Sequence, residues 1–261
     1  MALTTDWIAA HALSLWTALL LLALLAGDLA WRRSARLRVA ALAGRRQPGV
    51  MRWTTGIALA TLMLILFGGI AFAIGTGSPG SVANFDASLA EQLRMQMPPL
   101  VLQIIAMLTQ LGGTPWVATA ATLVLLCLLL CREWALAGVW AFAELGIMPL
   151  TSGIKALIER PRPLHNHGFV TESGWSFPSG HALGSMVFYG MLAYVLLRLL
   201  PTRWHRAVIF TTVLLVGLIG ISRVLLQVHY LSDVVAGYAF GLVWLLLCIS
   251  IAEWLRLRTA H

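Results

Sequence analysis

Charge is what this sequence has least of. Only 11% of its 261 residues are Asp, Glu, Lys or Arg, against about 25% in soluble domains. So few charges cannot cover a water-facing surface, and an ordinary soluble domain is excluded. Lysine is nearly absent: of the 18 basic residues all but Lys155 are arginine. Cysteine is scarce as well, and Cys127, Cys131 and Cys248 lie inside apolar runs. There they read as small hydrophobes, with no disulfide framework and no CxxC metal pair.

What fills the chain instead is apolar sequence. Hydrophobic residues make up 59%, gathered in runs that reach or approach the roughly 20 residues a bilayer-spanning helix needs. Seven spans are expected, near 12–31, 54–75, 115–131, 134–155, 181–200, 207–223 and 230–253. The first is read as a retained span: its N-terminal flank carries Asp6 in place of Lys or Arg, and no small-residue cleavage site precedes Arg32. The fold class is thus all-α, a polytopic membrane helix bundle.

The net charge of +8 sets topology. Arg32, Arg33, Arg36, Arg38, Arg45, Arg46 and Arg52 crowd one loop; Arg132, Arg198, Arg203, Arg206, Arg256 and Arg258 follow on the same side. By the positive-inside rule this side is cytoplasmic, which leaves the N-terminus outside and the C-terminus inside. The same arginines meet anionic headgroups of membrane lipids, and no basic face remains outside these loops for nucleic acid. Trp31, Trp53, Trp134, Trp204 and Trp254 fall near span ends as interfacial anchors. Asp28 is close enough to the inner boundary to reach water. His11, His205 and His261 read as interfacial, whereas mid-span Glu144 is left open: it pairs with an arginine, orders the bundle or lines a lipid path. The 76–114 segment is either an interfacial element over a site or a packed connector, with any helix restarting near Leu100 after Pro98 and Pro99.

Against this asymmetry, the Arg-poor side holds an unexpected concentration of ionisable residues in 155–181 and 223–233. Such groups are costly at a membrane edge and mark function. Three clusters stand out: Lys155 to Pro163 (KALIERPRP), Pro178-Ser179-Gly180-His181 at the start of a span, and Ser222-Arg223 followed by His229 and Asp233. If 229–253 is helical, His229 and Asp233 lie four apart on one face, and Asp233 orients the imidazole as in a catalytic triad. Lys155, Arg162 and Arg223, with hydroxyl and N–H donors at Ser179 and Gly180, suit the equatorial oxygens of a phosphoryl group. Asp233 is the one acid spaced to meet a histidine of these clusters, so no carboxylate set for a divalent cation is expected, and no cofactor. His165 and His167 are too few for a metal pair by themselves and are read as headgroup contacts. Arg160, outside this register, is read as a loop or headgroup contact.

The pattern K-x6-RP, then PSGH, then SR-x5-H-x3-D resembles the signature of the type 2 phosphatidic acid phosphatase superfamily. Lys155, Arg162, Pro163, Pro178, Ser179, Gly180, His181, Ser222, Arg223, His229 and Asp233 all match. The resemblance implies a six-span catalytic core over 54–261, with the first span and its basic loop, 1–53, as an N-terminal addition. It implies a histidine phosphatase in which His229 attacks phosphorus and His181 protonates the leaving oxygen. Lys155, Arg162, Arg223, Ser179 and Gly180 would hold the phosphate. The expected partner is a lipid phosphate or diphosphate: undecaprenyl diphosphate first, then phosphatidic acid, phosphatidylglycerol phosphate or a lipid A phosphate. The expected home is a bacterial inner membrane with the site facing the periplasm or exterior. A phosphotransferase of the same superfamily is the alternative; a vanadate-dependent haloperoxidase or a transporter accounts for less of the pattern.

Overall fold

The computed structural model describes residues 2–43, 53–76, 82–164 and 168–259. Its elements are helices α1 (Ala2–Ala10), α2 (Ala12–Ala43), α3 (Trp53–Gly75), α4 (Val82–Gln96), α5 (Pro99–Leu108), α6 (Thr114–Leu130), α7 (Trp134–Ile158), α8 (Gly180–Leu199), α9 (His205–Leu225) and α10 (Leu231–Thr259), with short 3₁₀ turns at Thr109–Gly112 and Thr202–Trp204. Among the described residues seven stretches are long and apolar enough to cross a membrane. Six lie within a few residues of expectation. The remaining one runs Pro99–Leu130 rather than starting near 115, because α5, the 3₁₀ turn and α6 continue one apolar path.

The bundle is graded from protein-facing to lipid-facing. α8 is buried over more than half of its best apolar window and α10 over 44%, whereas α3 has 0% buried and α2 6%. Unfavourable contact with water cannot select between these faces inside a bilayer, so close packing does. Glycines supply it where α8 and α10 cross: a Cβ on Gly237 would lie 2.8 Å from the Ser179 carbonyl oxygen, and one on Gly241 3.0 Å from that of Leu183. Trp140, Phe188, Tyr194 and Val187 fill the core beyond this crossing.

The segment between α3 and α6 is packed against the bundle. Asp86, Leu89 and Leu93 of α4 are buried, and Leu89, Leu93, Leu102 and Ile105 join one apolar cluster with Ala9, Leu225 and Val228. α5 begins at Pro99, where proline costs a helix no hydrogen bond. The packed-connector reading therefore fits α4, whereas α5 belongs to the apolar path that continues into α6. α2 packs along α9, and α1 against α4.

At the Arg-rich end two readings change. Asp28 does not reach water: it is buried, accepting from Arg32 at 2.7 Å, with Arg206 Nε 2.8 Å from its other oxygen. His205 is buried, its Nε2 3.0 Å from the Leu200 carbonyl oxygen.

Candidate active site

The three clusters converge at the end of the spans opposite those arginines. Lys155 lies in the last turn of α7, which stops at Glu159 in the left-handed region, φ 47°. That reversal, followed by Pro161 and Pro163, turns the chain back across the helix ends. Gly180 and His181 open α8, where first-turn amides have no helical carbonyl to meet. Ser179 caps this helix, its hydroxyl oxygen accepting from the Ala182 amide at 3.4 Å while its own proton stays available. Ser222 and Arg223 end α9, and Asp233 sits in the first turn of α10. His229 lies just before α10 rather than within it. The helical-face argument therefore does not apply, yet the pair forms: Nδ1 is 3.5 Å from Asp233 Oδ2.

The tautomer of His229 follows from its other neighbour. Arg162 Nη1 stands 3.2 Å from Nε2. A guanidinium only donates, so Nε2 must carry the lone pair and Nδ1 the proton that faces Asp233. Burial pushes the His229 pKa down to about 4 against the opposing pull of Asp233, so the ring is neutral near pH 7. Asp233 is itself locked: it accepts from Ser176 in a short contact, from the Tyr230 amide at 2.9 Å and from Arg160 at 2.6 Å.

Around this imidazole stand the cations. Arg162 is held by the carbonyls of Val228 (2.7 Å), Gly174 (3.0 Å) and Ser173 (3.1 Å). Lys155 donates to the Trp175 carbonyl at 2.6 Å, leaving two further ammonium protons. Arg223 is fully buried; it donates to Thr109 at 3.0 Å, and its Nε has no partner. Lys155, Arg162, Gly180, His181 and His229 all line one cavity of about 440 Å³. Of the other residues expected for the phosphate, Ser179 and Arg223 are fully buried beside these groups and do not line the cavity itself.

Three acids or their partners were misread or missed. Arg160 is no loop or headgroup contact: it is buried, bridges Asp86 (2.8 Å) and Asp233 (2.6 Å), and covers the Tyr230 ring at 4.3 Å. Asp86 was not expected at the site; burial raises its pKa, against the hydrogen bonds from Ser232 and Arg160. Asp233 is not the one acid near a histidine, because Glu172 touches Arg223 in a short ion pair and lies 3.8 Å from His181 Nδ1. The signal for Asp86 was faint, an acid inside an amphipathic stretch. For Glu172, within a loop, there was none. Among the described residues no three His, Cys, Asp or Glu side chains converge to hold a metal. His165 and His167 lie outside the described residues.

Such a bundle, with a cationic, histidine-bearing pocket at one end of its spans, defines an integral membrane protein built to receive an oxyanion. The comparisons agree. The PAP2 superfamily profile matches residues 132–257. Lipid A 1-phosphatase of Rhizobium etli is 32% identical over 184 residues, 62% of this chain and 74% of that protein. The chain belongs to the PAP2 superfamily. Phosphatidylglycerophosphatase B of Bacillus subtilis is 38% identical over 96 residues, 36% of this chain. Decaprenylphosphoryl-5-phosphoribose phosphatase of Mycobacterium tuberculosis is 38% identical over 113 residues, 42% of this chain. These two matches span 47% and 56% of the relatives' own lengths. The crystal structure of a transmembrane PAP2 type phosphatidylglycerolphosphate phosphatase from Bacillus subtilis superposes with a TM-score of 0.64 at 26% identity, covering 76% of this chain and 96% of that one.

Proposed function

We propose that the chain is a membrane phosphatase that hydrolyses the phosphate or diphosphate of a lipid through a phosphohistidine. One observation carries the reading: the Arg162 contact leaves the lone pair on His229 Nε2, and His229 lines the same cavity as His181, Lys155 and Arg162. His229 Nε2 attacks phosphorus in line. As the P–O bond to the lipid breaks, His181 gives its proton to the leaving oxygen, and the lipid departs as an alcohol or lower phosphate. Water then attacks the phosphohistidine, giving its proton to His181; the P–N bond breaks and inorganic phosphate leaves. Lys155, Arg162, Arg223, the Ser179 hydroxyl and the Gly180 amide take the charge on the equatorial oxygens. Asp233 holds the His229 tautomer and offsets the positive ring that forms.

The site end lies opposite the Arg-rich ends, which supports a catalytic face on the periplasm or exterior of a bacterial inner membrane. The named relatives act on a glycerolipid, a polyprenyl sugar and a saccharolipid, so the shared chemistry is a lipid-borne phosphate. Undecaprenyl diphosphate, phosphatidic acid, phosphatidylglycerol phosphate and lipid A phosphate form the panel to assay. Purified protein in detergent with EDTA is expected to release phosphate from at least one of them and to form an acid-labile phosphoenzyme. His229→Ala should lose both while keeping the wild-type melting temperature within a few degrees. Undiminished release by that variant would overturn the mechanism.

A further inference from the structure

The cavity that holds the phosphate site does not end there. From Lys155, Arg162, His181 and His229 it continues between α6, α7 and α8 along Ser152, Thr151, Met148, Leu145, Ala141 and Trp140. Its walls are kept thin by Ala118, Ala121, Ala141 and Gly184, and nothing lies within 4 Å of where a Gly184 Cβ would stand. Leu145 and Met148 on the same helix are exposed on the lipid-facing surface. An amphiphile whose head sits at His229 would therefore lay its apolar portion here.

One lining residue is out of keeping with a plain hydrocarbon. Glu144 lines this cavity, and its Oε1 is buried without a hydrogen-bond partner. Four donors of the surrounding helices are used elsewhere: Trp140 Nε1 donates to Ala121 O at 3.0 Å, Trp244 Nε1 to Ala143 O at 3.0 Å, and Thr122 and Thr151 back to their own helices at 2.8 Å. Among the described residues Glu144 enters no ion pair. Leaving a buried polar oxygen unsatisfied costs about 1–3 kcal/mol, so a bound molecule is the natural source of the missing donor. Glu144 and Lys155 are eleven positions apart on α7, which at a helical rise of 1.5 Å per residue sets their Cα atoms about 16 Å apart along the helix axis.

We propose that Glu144 is a selectivity residue for the substrate's apolar portion, accepting a hydrogen bond from a hydroxyl or amide N–H carried on the chain deep in the cavity. A carboxyl accepts such a bond in either of its protonation states. The inference rests on the reading of the His229 end as the phosphate site and narrows it: the preferred lipid bears a hydroxylated or amide-linked chain. A pure hydrocarbon polyprenyl tail, such as that of undecaprenyl diphosphate, suits Glu144 least.

The test is a binding series. Alkyl phosphonates carrying one hydroxyl at successive positions along the chain, and the unsubstituted parent, are titrated against purified protein by quenching of tryptophan fluorescence. Wild type is expected to show one position at which Kd falls roughly three- to tenfold below the parent, the range of one neutral hydrogen bond. Glu144→Leu should flatten that profile while leaving parent affinity and the melting temperature near wild type, and Glu144→Gln, which keeps an acceptor, should retain most of it. A flat wild-type profile, or a profile unchanged in Glu144→Leu, would overturn the assignment. Hydrolysis of p-nitrophenyl phosphate by the same preparations separates the two readings: its absence in wild type counts against the phosphatase, whereas the phosphonate profile bears on Glu144 alone.

Discussion

Arginine does different work at the two ends of this bundle. At the Arg-rich end, Asp28 is shared by Arg32 and Arg206, whose side chains are 56% and 51% exposed. At the site end, Arg160 is shared by Asp86 and Asp233, and all three side chains are within 5% of complete burial. The first arrangement keeps its cations in contact with water and is replaceable. The second has withdrawn two carboxylates and a guanidinium from solvent, so each depends on the others. Equal residue counts thus conceal unequal consequences, and burial decides which.

Arg160→Met tests the contrast most severely. It keeps volume over Tyr230 but strands two buried carboxylates, and it should cost about 3–5 kcal/mol, read as a lowered melting temperature in detergent with loss of turnover. A variant as stable as wild type would dissolve the distinction between the two ends. Next comes Gly237→Ala, whose Cβ would press on the Ser179 backbone; overpacking of this kind costs about 1–3 kcal/mol and should reduce kcat by shifting His181, while Gly68→Ala, with nothing within 4 Å, should be silent.

A pH series sharpens the same comparison at His229. Its folded pKa, about 4, lies below the ordinary value of roughly 6.5, so the unfolded state binds more protons in between. Its contribution to stability is complete above 6.5 and is lost as pH falls toward 4. Wild type should therefore lose melting temperature relative to His229→Gln across that window, and parallel curves would mean the ring is not held neutral. The smallest effect belongs to Arg206→Ala. Arg32 still serves Asp28, the lost pair is half-exposed, and thermal melts should register no more than about 1 kcal/mol.

Much of this was legible in the sequence, for a physical reason. Lys155, Arg162, His181, Arg223, His229 and Asp233 were readable because each motif is local and because charge at a membrane edge stands out against apolar surroundings. The spans were readable because the bilayer imposes one length. Asp86 and Glu172 were not, since their partners lie far along the chain: Arg160 is 74 positions from Asp86, and Arg223 is 51 from Glu172. Arg160 was misjudged for the same cause, as its environment is made by α4 and α10 rather than by its neighbours. Nor does composition foretell that α5 joins α6 in one apolar path, because a 3₁₀ turn leaves hydropathy unchanged.

The bridging position of Arg160 also bears on how the protein is made. Asp86 emerges from the ribosome before it and Asp233 well after, with α8 and α9 synthesised in between. Until the final helix enters the membrane, Arg160 has half its counter-charge, and His229 and Asp233 have yet to arrive. The described site is therefore completed only when α10 joins the bundle, and a nascent chain arrested short of α10 leaves Arg160 bound to Asp86 alone.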